Sequence, residues 1–180
     1  MMHLKEKISG GLALAAWIVL FSAGLTIDSS PYRTQVNSPL FSWGAFLMVI
    51  LTYTPTNVAI LSLFSGYIAG CASLITHHRF RERAEKEGAV SKETLRERLL
   101  FRTESPLASM FRSIVVYFGF MAGVLVTTVS PFTATTPEQY IRLAAAVSFF
   151  AFVVGYDPTK FSSLLGARWG AGTGTRSRRT

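Results

Sequence analysis

Four polar side chains that could contact an ion or a small polar molecule lie together in the least charged part of the chain. They are Thr52, Thr54, Thr56 and Asn57, and they flank Pro55. Hydroxyl and amide groups at a break between two membrane helices often line ion or substrate sites, because the helix ends there supply carbonyl and N–H groups. The pattern predicts either a pore or ligand-contact site, or a capped hairpin turn whose polar groups bond to their own backbone.

Side chains that carry enzyme chemistry are sparse elsewhere. The glycine-rich segment 170–174 lacks the lysine of a phosphate-binding loop. Cys71 and His78 share a helical face, but two such ligands without nearby carboxylates make a poor metal site. No acidic residue lies within the long uncharged stretches, so a carboxylate proton relay is not predicted. We therefore predict no catalytic residue, no metal site and no cofactor, and we expect the chain not to be an enzyme.

The helices that position these residues are predicted from the uncharged stretches of the chain. No Asp, Glu, Lys or Arg occurs in the forty-five residues between Arg33 and Arg79, nor in Ile8–Ile27 or Ser113–Pro137. A charge at the bilayer centre costs about 2.5–3.5 kcal/mol on insertion scales, so membrane spans avoid it. Charged residues make up 16% of the chain, against roughly 25% in an average globular protein. The predicted fold class is all-α, a polytopic integral membrane helical bundle.

Proline marks most of the predicted helix starts. All seven prolines follow Ser, Thr or Asp. An oxygen-bearing side chain accepts hydrogen bonds from a first helical turn, and proline at the next position lacks only an N–H that would stay unpaired. Thr136 to Gln139 also matches a capping box. The predicted helices are Ile8–Ile27, Leu40–Tyr53, Thr56–Thr76 with an extension to Glu87, Pro106–Val129 and Pro137–Tyr156.

The number of membrane crossings follows from helix length and charge. Leu40–Tyr53 would be about 21 Å long at 1.5 Å per residue, short of a hydrocarbon core of about 30 Å. Residues 77–106 carry eight Lys and Arg, and five more follow Asp157. Because basic loops stay in the cytoplasm, both regions are predicted on the cytoplasmic side. Four spans plus one short re-entrant or interfacial helix satisfy this, and five spans with an external N-terminus are the alternative.

Two regions are predicted along the chain. Residues 1–157 form the transmembrane bundle, with a cytoplasmic helical hairpin at 77–105. Residues 158–180 form a juxtamembrane amphipathic helix and a disordered basic tail. The residues predicted to contact lipid or a partner protein along one stripe of that helix are Phe161, Leu164, Leu165, Arg168 and Trp169. The charge pattern favours a bacterial-type inner or plasma membrane with both termini in the cytoplasm. Membrane topology accounts for the net charge of +8, so nucleic acid is not a predicted partner.

Small residues at four-residue spacing are typical of close helix packing in lipid. They are Ser62, Gly66 and Gly70 in the third helix, and Gly119 and Gly123 in the fourth. They predict contact between these helices within one chain or an interface in an oligomer. Because reaction chemistry is missing, the preferred function is an accessory or scaffold subunit of a membrane assembly, as a homo-oligomer or in a larger complex. The alternative is an oligomeric pore-forming channel or small transporter.

Overall fold

The computed structural model of the chain describes residues 2–27, 42–87, 105–127 and 136–157. Within these ranges the chain forms helices and no strand. The helices are α1 (Met2–Thr26), α2 (Trp43–Leu51), α3 (Pro55–Glu87), α4 (Pro106–Thr127) and α5 (Pro137–Tyr156). The predicted all-α fold class is confirmed.

Three helices begin where a hydroxyl residue precedes proline. Thr54 accepts a hydrogen bond from the backbone N–H of Asn57 at 3.1 Å, at the start of α3. Ser105 caps α4 in the same way at 3.3 Å, and Thr136 caps α5 at 3.4 Å. These side chains satisfy N–H groups that a helix start leaves unpaired. The helix start predicted at Ser38 and Pro39 lies outside the described residues.

Four of the helices are long and apolar enough to cross a membrane. Their candidate spans are Leu4–Thr26, Pro55–Thr76, Pro106–Gly123 and Pro137–Tyr156. The remaining helix, α2, has 9 residues, which gives about 14 Å of length, less than half of a hydrocarbon core. This confirms four spans with one short helix, and the five-span alternative is not supported.

The spans alternate in direction around α3, which packs against α5, α4 and α1. Near its start, α1 approaches α3 where Gly10 lies against Cys71. Near its end, α1 approaches the start of α5, where Gly24 lies against Tyr140. Tyr140 in turn contacts Asn57 at the start of α3. The start of α1 and the end of α5 therefore lie at the same end of the bundle, as an even number of crossings requires.

The interior is small and centred on α3 and α5. Val58, Leu61, Ala144 and Val147 are completely buried there. Many large apolar side chains point outward instead, and Phe149 is 64% exposed. An apolar exterior of this kind suits a bundle whose surroundings are lipid tails.

Two predicted features fall wholly or partly outside the described residues. The extension of α3 to Glu87 is present, whereas the rest of the 77–105 hairpin includes residues 88–104, which are not described. The amphipathic stripe of residues 161–169 and the basic tail also lie outside them. Their proposed contacts with lipid or a partner stay predictions.

Candidate functional site: the polar turn and the serine–glycine seam

The polar turn, Thr52–Asn57, joins α2 to α3 and is built around the last carbonyl groups of α2. The hydroxyl of Thr52 donates to the Met48 carbonyl at 2.6 Å, and the hydroxyl of Thr54 donates to the Val49 carbonyl. The final carbonyls of a helix lack intrahelical partners. The two threonines supply such partners, so α2 can end within an apolar environment.

Asn57 connects three helices through its side-chain amide. The side chain is completely buried. Its Nδ2 donates to the carbonyl of Ile50 on α2 at 2.6 Å, and its Oδ1 accepts from the hydroxyl of Tyr140 on α5 at 3.0 Å. An unpaired amide in this position would cost several kcal/mol of desolvation. These bonds remove most of that penalty and fix α2 and α5 against the start of α3.

Aromatic side chains enclose the polar turn. The ring of Tyr140 lies 5.0 Å from that of Tyr53 and 5.4 Å from that of Phe21, measured between centroids. The hydroxyl of Tyr117 on α4 donates to the carbonyl of Pro55 at 2.9 Å. Buried tyrosines normally pair their hydroxyls in this way. The polar turn is thus a meeting point of all five helices, because Phe21 comes from α1 and Tyr117 from α4.

The structure brings three of the four predicted contact residues together. Thr52 and Asn57 are buried and Thr54 is half-buried, whereas Thr56 is exposed on the first turn of α3. The oxygens and amide of the three clustered residues are engaged by groups of the chain itself. This geometry matches the capped-turn interpretation of the sequence. Because Asn57 is completely buried, a permeant could reach its amide only if the surrounding packing opened.

A second polar arrangement, here called the serine–glycine seam, joins α3, α4 and α5 nearer their other end. Its members are Ser62, Gly66 and Gly70 of α3, Ser109 and Ser113 of α4, and Gly155 of α5. Ser62 donates to the carbonyl of Ser113 at 2.9 Å. Ser109 donates to the carbonyl of Gly155 at 3.0 Å. Each bond runs between helices, so the seam fixes their register.

Glycine is required at the centre of the seam because the helices nearly touch. A Cβ atom added to Gly66 would lie 2.6 Å from Cβ of Ser113 and 2.8 Å from the carbonyl oxygen of Ser109. A Cβ atom on Gly70 would lie 2.7 Å from Cα of Pro106. Gly155 approaches Gly66 from α5. A Cβ atom added to Gly155 would lie 3.1 Å from Cα of Gly66. Such separations are below van der Waals contact.

Gly119 and Gly123 lie elsewhere on α4. Among the residues that the structure describes, no neighbouring atom lies within 4 Å of a Cβ atom added to either glycine, and both positions are exposed. Contact between α3 and α4 runs through Ser109 and Ser113 instead. The pair therefore does not supply the close approach within the chain that the sequence allowed. Its alternative role, contact between chains, stays a prediction.

Sequence reasoning missed several residues that organise both sites. Ser109 and Ser113 have the same four-residue spacing of small side chains as the glycine pair, and that spacing was a usable signal. Tyr140 gave a weaker sequence signal, which is that a tyrosine in an apolar helix needs a hydrogen-bond partner for its hydroxyl. Gly24, which lies under the ring of Tyr140, carried no signal, because nothing in the sequence places these residues together.

One charged side chain reaches the serine–glycine seam, since the guanidinium of Arg112 donates to the hydroxyl of Ser109 at 3.2 Å. Among the residues described, no three His, Cys, Asp or Glu side chains lie close enough together to hold a metal ion. No family model, no curated protein and no solved structure matches the chain. Its function is therefore inferred from its own residues.

Proposed function

We propose that this chain is a non-catalytic accessory or scaffold subunit of a membrane assembly, working by helix–helix contact with copies of itself or with a larger complex. Four apolar spans support residence in a membrane. The proposal includes a bacterial-type inner or plasma membrane and termini in the cytoplasm, on the basis of the basic segments in the sequence. The polar groups described in the two sites form hydrogen bonds within the chain. The proposal is therefore based on an outward face of α4.

The outward face of α4 combines two small residues with large apolar neighbours. Gly119 and Gly123 lie one turn apart on it, and Phe111, Val115 and Phe118 are 67%, 51% and 63% exposed. Association in lipid depends on van der Waals packing at close backbone separation, which glycine permits. The bulky residues beside the pair would supply area around the contact. This face is the single observation on which the assembly proposal depends.

The assembly proposal is tested by enlarging the small residues. We expect the double change Gly119→Ile and Gly123→Ile to lower the mass of the complex extracted in mild detergent. The control is Ala145→Ile, because Ala145 is an exposed small residue on α5 with the exposed Ile141 and Phe149 beside it. An unchanged mass for the double variant, or an equal loss in the control, would refute the role of this face. Gly66 and Gly70 cannot serve this test, since larger residues there would disturb the fold.

An oligomeric pore or small transporter is the second candidate. One observation favours it: α2 is a half-length helix that ends at the buried polar turn, as broken helices do in many transport proteins. The purified chain should then conduct in planar bilayers, and Thr56→Val should change the conductance, because Thr56 is the exposed member of the turn. Folded protein that leaves the bilayer silent would count against this function.

A further inference from the structure

An open apolar groove runs between α1 and α3, and Met110 of α4 forms part of its wall. Its volume is about 560 Å³, within the range of about 300–1,000 Å³ typical of ligand pockets. The side chains that form most of its wall are Leu12 and Ala16 of α1, Leu63, Phe64 and Tyr67 of α3, and Met110 of α4. The wall is almost entirely apolar. An extended hydrocarbon chain is the ligand chemistry that such a wall suits.

We propose that this groove holds an acyl chain of an anionic phospholipid whose headgroup is bound by Lys5. Lys5, Ser9, Leu12 and Ala16 follow one another at the spacing of a single helical face, so the exposed Lys5 lies one turn before Ser9, the first residue of α1 that lines the groove. A cation there complements a negatively charged headgroup. Charge at the mouth and an apolar wall behind it are the two halves of a lipid site.

The depth of the groove matches one leaflet. From Lys5 to Ala16 the helix rises about 16 Å at 1.5 Å per residue. Half of a hydrocarbon core is about 15 Å thick. Lys5 lies at the beginning of the first membrane span. The groove thus extends from the headgroup level to about the middle of the bilayer, which is the path of one acyl chain.

Lys7 provides a matched control for the headgroup contact. It is an exposed lysine on the same helical turn as Lys5, but it lies on the opposite face of α1, away from the groove. Ala16 and Ala15 form a second matched pair. Ala16 lines the groove, whereas its exposed neighbour Ala15 does not. A leucine at 16 would add bulk inside the groove, and a leucine at 15 would add the same bulk outside it.

The test uses the full chain in nanodiscs with a phosphatidylglycerol that carries a photoreactive diazirine in its acyl chain. Mass spectrometry should place most crosslinks at Leu12, Leu63 and Met110, with little labelling at the outward Phe149. Phosphatidylcholine with the same acyl chains should label the groove about fivefold less, which is the effect expected of one lysine near an anionic headgroup. Lys5→Gln should remove most of this preference for phosphatidylglycerol. Lys7→Gln and Ala15→Leu should retain the preference for phosphatidylglycerol. Ala16→Leu should lower labelling of the groove by either lipid.

Three results would overturn the proposal. Labelling at Phe149 equal to that in the groove would indicate ordinary surrounding lipid. Equal labelling by the two lipids in the unmodified chain would remove the role of Lys5. A folded chain without lipid adducts in the groove would show that no acyl chain occupies it. Because the labelling pattern of the unmodified chain and the lysine pair suffice, the test does not depend on the folding of Ala16→Leu.

Discussion

Gly66 and Gly119 are both glycines within membrane helices, yet the structure predicts opposite effects of the same substitution. At Gly66, an added methyl group would lie 2.6 Å from Cβ of Ser113 and 2.8 Å from the carbonyl oxygen of Ser109. At Gly119, it would meet no atom of the described part of the chain within 4 Å. The Ser109 oxygen belongs to the backbone, so a change of rotamer cannot relieve the overlap. Helix α4 would have to move away from α3.

The expected magnitudes follow from these distances. Overpacking a well-packed interior costs typically about 1–3 kcal/mol, and moving α4 would also lengthen the 2.9 Å bond from Ser62 to the Ser113 carbonyl. Alanine has the higher helix propensity, which offsets at most about 1 kcal/mol. We therefore expect Gly66→Ala to lower the free energy of unfolding by about 1–2 kcal/mol. We expect Gly119→Ala to leave it unchanged or to raise it by up to about 1 kcal/mol.

The measurement is reversible unfolding in mixed micelles of mild detergent and SDS, followed by tryptophan fluorescence. A third variant tests the cause. Removing the Ser113 hydroxyl in the Gly66→Ala background should restore little stability, because Cβ of residue 113 and the Ser109 carbonyl remain in place. Equal stability of Gly66→Ala and Gly119→Ala would refute the close approach of α3 and α4.

Three further substitutions probe the remaining interhelical contacts by the same assay. Tyr140→Phe removes the donor to buried Asn57, so we expect a loss of about 1–2 kcal/mol, and an unchanged stability would contradict that bond. Gly24→Ala places a Cβ atom 2.5 Å from Cζ of Tyr140, so we expect a loss of about 1–3 kcal/mol; a stabilised variant would show that α1 does not approach α5 there. Ser62→Ala removes one bond to the Ser113 carbonyl, and we expect a loss of about 0.6 kcal/mol, the average for such bonds in membranes; a loss above about 2 kcal/mol would indicate a role for Ser62 beyond this bond.

The helices could be predicted well because their causes are local. The bounds of α5, Pro137–Tyr156, agree with the prediction at both ends, since Thr136 and Pro137 define its start and apolar composition defines its length. The start of α3 is one residue earlier than predicted, at Pro55. The start of α1 was predicted least accurately, since this helix begins at Met2 and not at Ile8. The observed range of α2 is Trp43–Leu51, two residues shorter at its end than predicted; Leu40 and Phe41 lie outside the described residues.

The two sites could be predicted only in part because they depend on contacts between distant residues. The bond between Tyr140 and Asn57 joins positions 83 residues apart. The small residues show a subtler limit. On α4, the Ser109–Ser113 pair and the Gly119–Gly123 pair have the same spacing, and spacing alone does not say which pair faces the bundle. That choice is made by the helices on either side, since Ser109 bonds to Gly155 on α5.

The surfaces assigned to assembly and to lipid can be tested independently because α4 presents them on opposite faces. Met110 borders the groove and Gly119 lies on the outward face. They are nine positions apart, which is two and a half helical turns at 3.6 residues per turn. A lipid in the groove and a partner on the outward face would therefore not compete for space. The isoleucine variants on α4 should change the mass of the assembly and leave lipid labelling intact. Lys5→Gln should change lipid labelling and leave the mass of the assembly unchanged. If either change abolished both readouts, the two surfaces would be one interface, and the separate roles assigned to them would be wrong.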